Sequence, residues 1–244
     1  MHHERQGWHS PRLGKWMGIS VYGHYGSPIV VFPTSGGDEN EYAGQGMIDA
    51  LASHIDSGRV KFYCINSMNN ESWYNKQAHP RHRSYVQGMY DAYVADELVP
   101  FIYDHCRTPG IGITTTGASF GAYHAANTLF RHPSVFRRCL ALSGVYDIRK
   151  FMDGDYDDNF YYNNPVDYLA NLHDSWYLHH LGQNDIRLAT GTGPYEDTGP
   201  TYQLSEVLSR KGIPHTVDNW GADGGHDWPY WKNMMNNYLA RLPF

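Results

Sequence analysis

The chain has 244 residues, with 19 Lys and Arg against 25 Asp and Glu, a formal net charge of −6. That acidic balance leaves no basic footprint for nucleic acid, no run of about 18 apolar residues is present to span a membrane, and 41 % hydrophobic residues exclude a disordered chain. An odd count of three cysteines, Cys64, Cys106 and Cys139, without a CxxC and without an apolar leader, argues for a reducing, cytoplasmic setting and no disulfide framework.

In chain order, residues 16–22 alternate apolar and polar, which predicts an antiparallel strand, and 23–27 read as a turn. Residues 28–33 are a short apolar run closed by Thr-Ser-Gly-Gly, the pattern of a buried parallel strand. Met47, Ile48, Leu51 and Ile55 follow at helical spacing, then a second strand at 60–65. Val94, Leu98, Ile102 and Cys106 again share one helical face before a strand at 111–116 and a helix at 122–130, stopped near His132-Pro133. Strands at 139–143, 186–190 and 216–220 alternate with helical spacing at Leu204, Val207 and Leu208 and a last helix from Pro229. Strand–helix alternation of this kind predicts an α/β fold, a mostly parallel, doubly wound sheet with helices on both faces. No repeat and no linker divides the chain, so one domain is expected over 1–244. The acidic, aromatic stretch 153–165 has no period. It reads as a solvated connection or as a lid over a pocket, with Tyr156, Phe160, Tyr161 and Tyr162 as walls.

Gly117-Ala118-Ser119-Phe120-Gly121 fits G-x-S-x-G between a predicted strand and a predicted helix. That setting is a nucleophile elbow, where small residues two before and two after the serine let strand and helix pass closely and the hydroxyl projects at the helix N-terminus. A serine hydroxyl needs a base within hydrogen-bond reach. Of the fifteen histidines, His226 is the one in a glycine-rich loop at a strand's carboxyl end. The others, His124 among them, read as surface or packing residues, and no spacing suggests a metal site. The third member of a triad should follow the strand at 186–190, where Glu196 and Asp197 are adjacent and compete. Asp227 reads instead as a helix N-cap. The oxyanion hole needs one backbone N–H from Phe120 and another from the loop after 28–32; Pro33 has none, so Thr34 or Ser35 must donate. Aromatic residues near the expected crevice, Trp73, Tyr74, Tyr161, Tyr162 and Trp228, are the candidate substrate contacts.

Gly117-Ala-Ser-Phe-Gly121, the Gly191-Thr-Gly-Pro-Tyr-Glu196 loop and Gly225-His226-Asp-Trp-Pro-Tyr-Trp231 resemble the esterase family of the α/β-hydrolase superfamily. That family includes esterase D-type S-formylglutathione hydrolases, feruloyl and siderophore esterases, and mycolyltransferases. The resemblance covers about residues 16–239 and implies an α/β-hydrolase fold without a large cap domain. By resemblance to the esterase D-type loop, the second oxyanion donor falls near Thr34. By resemblance to the mycolyltransferases, Glu196 is the triad acid with Asp197 in reserve. No glutathione-binding set is recognisable.

The expected activity is serine carboxylic-ester hydrolysis by an acyl-enzyme, without a cofactor, on a small-molecule ester with a small or aromatic acyl group. Two alternatives use the same scaffold: acyl transfer to an alcohol, and a binding module without catalysis. A homo-oligomer is compatible with each.

Overall fold

The computed structural model of the chain describes residues 1–244. Eight strands form one sheet: β1 (His3–Ser10), β2 (Lys15–Tyr22), β3 (Ser27–Phe32), β4 (Val60–Ile65), β5 (Ile113–Ala118), β6 (Phe136–Leu142), β7 (Asp185–Thr190) and β8 (Thr216–Asn219). Their spatial order is β1-β2-β4-β3-β5-β6-β7-β8. The β1–β2 and β2–β4 pairs are antiparallel, and every other neighbour pair is parallel.

The helices are α1 (Glu41–Gly44), α2 (Met47–Ala50), α3 (Ala52–Asp56), α4 (Pro80–Tyr93), α5 (Val99–His105), α6 (Phe120–Arg131), α7 (Asp158–Tyr161), α8 (Pro165–Tyr168), α9 (Ser175–Leu181), α10 (Gly199–Arg210) and α11 (Trp228–Arg241). One π-helical turn, Val94–Leu98, joins α4 to α5. None of the helices is long and apolar enough to cross a membrane.

Period-two alternation sorts the apolar strand residues onto two faces. Val30 and Phe32 of β3, Tyr63 and Ile65 of β4, and Cys139 and Ala141 of β6 join one cluster of 34 buried residues. Helices α4, α5, α6 and α10 cover it through residues such as Tyr90, Ile102, Leu129 and Leu204. Ile29 and Val31, Phe62 and Cys64, and Leu140 and Leu142 point the other way, into a cluster of 21. That face is closed by Met47 and Ile48 of α2, Ile55 of α3, and Met234, Met235 and Leu239 of α11. The threonines of β5 keep this burial inexpensive: Thr115 and Thr116 donate to the Ala125 and Leu140 carbonyls at 2.9 and 2.8 Å.

Two elements differ from the sequence expectation. Strand β1 has no apolar alternation, and backbone pairing with β2 makes it, from His3↔Tyr22 to Ser10↔Lys15. Its outer end is held by Trp8 Nε1 and Ser10 Oγ, which donate to the Glu97 carboxylate at 2.6 and 2.8 Å. Helix α4 carries no clear apolar stripe because it buries Arg83, Ser84, Gln87 and Asp91 beside Tyr90 and Tyr93.

The stretch 153–165 folds into α7 and the start of α8. Ser84 Oγ of α4 donates to Asp157 at 2.8 Å, and Tyr123 Oη of α6 donates to the Asn163 carbonyl at 2.8 Å. These bonds tie the stretch to the helical layer.

Candidate active site

Strand β5 ends at Ala118 and α6 begins at Phe120, so Ser119 alone makes the turn. It does so in the left-handed region, at φ 55° and ψ −120°, a strained backbone for a residue with a Cβ. The turn needs glycine on both sides. A Cβ on Gly117 would sit 2.4 Å from the carbonyl carbon of Gly121, and one on Gly121 would sit 2.3 Å from the Phe32 carbonyl oxygen. The same contact sets the loop after β3 directly against the start of α6.

His226 reaches this point from the far side of β7. The loops after β7 and β8 are laced together: Gly193 N–H donates to the Gly224 carbonyl, and His226 N–H to the Pro194 carbonyl, each at 2.9 Å. His226 Nε2 then lies 2.9 Å from Ser119 Oγ. Its ring meets Trp231 edge-on at 5.2 Å, and Trp231 is fixed by donating to Ser143 Oγ at 2.9 Å.

Behind the imidazole stands Glu196, whose side chain is 1 % exposed and whose Oε2 is 3.4 Å from His226 Nδ1. Its other oxygen accepts from Thr190 Oγ1 at 2.9 Å. Oε2 is buried with no hydrogen-bond donor in place, so Nδ1 is the group it faces. Asp197, adjacent in sequence, points to solvent and accepts from Gly199 N–H at 2.9 Å, ahead of α10. Asp227 accepts from Trp228 N–H at the start of α11, as a helix cap does.

The loop after β3 departs from expectation at Thr34. Its N–H donates to Glu41 Oε2 at 2.8 Å, and its hydroxyl donates to the same carboxylate. The Thr34 amide hydrogen is thus already taken by a charged acceptor. Ser35 N–H has no partner within the protein. Phe120 N–H, in the first turn of α6, has no intrahelical acceptor either. Ser35 is braced from two directions, one of them backed by a third side chain, by residues whose part the sequence did not disclose. Tyr74 Oη donates to its hydroxyl at 2.9 Å, Asn69 Nδ2 donates to its carbonyl at 3.1 Å, and His124 Nε2 in turn meets Asn69 Oδ1 at 2.7 Å. Burial pushes the His124 imidazole down to about 3, so it is neutral and Nε2 carries the donated hydrogen.

The aromatic candidates scatter. Trp73 is fully buried, edge-on to Phe160, in a small cluster with Phe120 and Met152. Its place at the surface is taken by half-buried Tyr74, whose ring meets Phe120 at 5.1 Å and Phe151 at 5.2 Å. Tyr161 and Tyr162 line a different cleft of about 410 Å³ with Phe130 and Arg131. That cleft lies at the far end of α6, roughly 18 Å along the helix from Ser119. Neither tyrosine belongs to the Ser119 crevice. Trp228 stands two residues beyond His226 and packs edge-on against Tyr42 and Trp231, at 5.6 and 5.2 Å.

Residues 10–242 match the family described as "Putative esterase". The chain belongs to this esterase family. Solved structures agree with that membership in fold. A ferulic acid esterase is similar with a TM-score of 0.74 at 17 % identity, over 98 % of this chain and 96 % of the other. An S-formylglutathione hydrolase from Agrobacterium tumefaciens gives 0.71 at 14 % identity, over 98 % and 93 %. One from Staphylococcus aureus gives 0.65 at 17 % identity, over 98 % and 97 %. No curated protein matches the esterase in sequence. The esterase has the α/β-hydrolase fold without a separate cap domain.

Proposed function

We propose that the esterase cleaves carboxylic esters through an acyl-enzyme on Ser119, with His226 as general base and acid and Glu196 as its orienting carboxylate. The observation that carries this reading is the 2.9 Å approach of His226 Nε2 to Ser119 Oγ, with buried Glu196 Oε2 behind Nδ1. Ser119 Oγ gives its proton to Nε2 as it attacks the acyl carbon. The Glu196 carboxylate holds the ring in the tautomer with hydrogen on Nδ1 and stabilises the imidazolium. The oxyanion forms beside the free N–H groups of Phe120 and Ser35, at the positive end of α6. His226 then protonates the departing alcohol. It next takes a proton from water, which attacks the acyl carbon and returns Ser119 to its hydroxyl form.

Tyr74 and Phe151, backed by the buried Phe120 ring, form an aromatic wall beside this point, which suits a small or aromatic acyl group. The named ferulic acid esterase among the similar folds supports the same substrate class. The three cysteines are free thiols, which supports a reducing, cytoplasmic setting.

The test is hydrolysis of p-nitrophenyl acetate, p-nitrophenyl butyrate and a hydroxycinnamate ester by the wild type and by folded Ser119→Ala. Removal of the nucleophile is expected to lower kcat by about 10⁴-fold or more. A fluorophosphonate should label Ser119 in the wild type alone. Equal turnover by both proteins overturns the reading, and so does a wild type that neither turns over nor takes the label. Faster acyl release on adding an alcohol would identify acyl transfer.

A further inference from the structure

A second cleft, of about 830 Å³, opens at the amino-terminal edge of the sheet, where β3 and β4 begin and α5 ends. Ser119 follows the carboxyl end of β5, so the two sites lie on opposite edges, roughly 20 Å apart along the strands.

The cleft is lined by Arg59, Lys61, Arg107, His24 and His105, with Asp104 as its one acidic residue. Three permanent cations thus stand against one acidic side chain, in a chain of net charge −6. None of the three cations makes an ion pair within 4.0 Å.

Lys61 is the decisive residue. The residue is only 6 % exposed, its stem packed on β4 between Val60 and Phe62, and its ammonium reaches the cleft surface without an acceptor from the protein, 5.8 Å from the Tyr63 ring centre. An apolar stem buried along a strand with the charged head at a cleft surface leaves that head to solvent or to a bound anion. Elsewhere this protein supplies the acceptors itself. Arg83, 4 % exposed, donates to the carbonyls of Lys76, Ala78 and Phe151 and to the Asp153 carboxylate. The Lys61 charge also reaches its neighbours: after burial itself, it is the next cause holding the His105 imidazole below its ordinary value.

We infer that this cleft is a binding site for a phosphate-bearing small molecule, with Lys61 as a cleft-lining point charge and the Arg59 and Arg107 guanidinium groups gripping the phosphate oxygens. Three cations match a multiply charged oxyanion better than a single carboxylate, and guanidinium forks pair with phosphate oxygens in a bidentate manner. The exposed Tyr25 ring and Phe244 at the rim offer an apolar surface to the remainder of such a molecule.

Isothermal titration calorimetry of the full chain with inorganic pyrophosphate tests the site. One saturable site per chain is expected. Lys61→Met and Arg107→Gln should each weaken it on the order of 10-fold, since each removes one charge-assisted bond. Ser119→Ala should bind as the wild type does, which separates this site from the ester-cleaving one. Arg107 is exposed at the end of α5, so its variant decides the matter if Lys61→Met does not fold. The inference is overturned if the wild type shows no saturable binding at millimolar pyrophosphate. Acetate binding equally well, or both variants retaining wild-type affinity, overturns it too.

Discussion

The Glu41 carboxylate accepts from both the backbone N–H and the hydroxyl of Thr34, seven residues earlier, and so closes the loop after β3 into a ring. Glu41 opens α1, so this loop is anchored to a helix that packs against the sheet. The Ser35 amide, next to the anchored Thr34, is left without a partner in this ring.

Loss of the anchor should therefore be read in the chemical step. Glu41→Ala is expected to lower kcat about 10²-fold, the cost of one displaced oxyanion donor, with little change in KM. Glu41→Gln keeps an acceptor for the Thr34 N–H and should retain most of the activity. Steady-state kinetics on a p-nitrophenyl ester distinguish the two.

Glu196 and Asp197 should separate cleanly. Glu196→Gln is expected to cost on the order of 10³- to 10⁴-fold in kcat, because the imidazole loses its tautomer and its counter-charge. Asp197→Asn removes a carboxylate that faces only the Gly199 amide, so kcat should stay at the wild-type value. Parallel rate measurements with circular dichroism spectra of both variants provide the check.

A methyl group at Gly121 would press 2.3 Å from the Phe32 carbonyl oxygen, whereas one at Gly36 would meet nothing within 4 Å. Gly121→Ala should destabilise the fold by about 1–3 kcal/mol, lowering Tm by roughly 2–4 °C for each kcal/mol in a chain of this size. Gly36→Ala should leave Tm unchanged. Differential scanning calorimetry of the pair reads the difference directly.

His124 makes stability depend on pH. In the unfolded chain it takes up a proton below its ordinary value of 6.5, whereas in the fold burial keeps it neutral down to about 3. The unfolded state therefore binds the extra proton between these values, and its contribution to stability is complete above 6.5 and drains away as pH falls through that window. The expected slope from this residue is about 1.4 kcal/mol per pH unit. Urea unfolding at pH 7, 6 and 5 should show the decline, and His124→Gln should flatten it.

The central strands were readable because both their faces are buried, so that 28–33 is a continuous apolar run and 60–65 is one broken only by Lys61. Ser119 was readable because strand, turn and helix are contiguous in sequence. β1 was not, since pairing with β2 makes it a strand and its own side chains say nothing of that. Nor could adjacent carboxylates be separated by pattern: Glu196 is chosen by the lacing of two loops some 30 residues apart, Gly193 to Gly224 and Pro194 to His226. Tyr161 and Tyr162 show the converse failure. Aromatic character marks a residue that must bury a ring, and many cavities can receive one.

Ser119, Glu196 and His226 follow β5, β7 and β8, so no single stretch of chain owns the site. Strand β8 is one of the two edge strands and the shortest of the sheet, four residues held sideways by β7 alone. Were its ladder to open, His226 would swing away with it while the remaining strands kept their order. The proposed chemistry thus hangs on the shortest seam of the sheet, and activity should fade before the fold itself is lost.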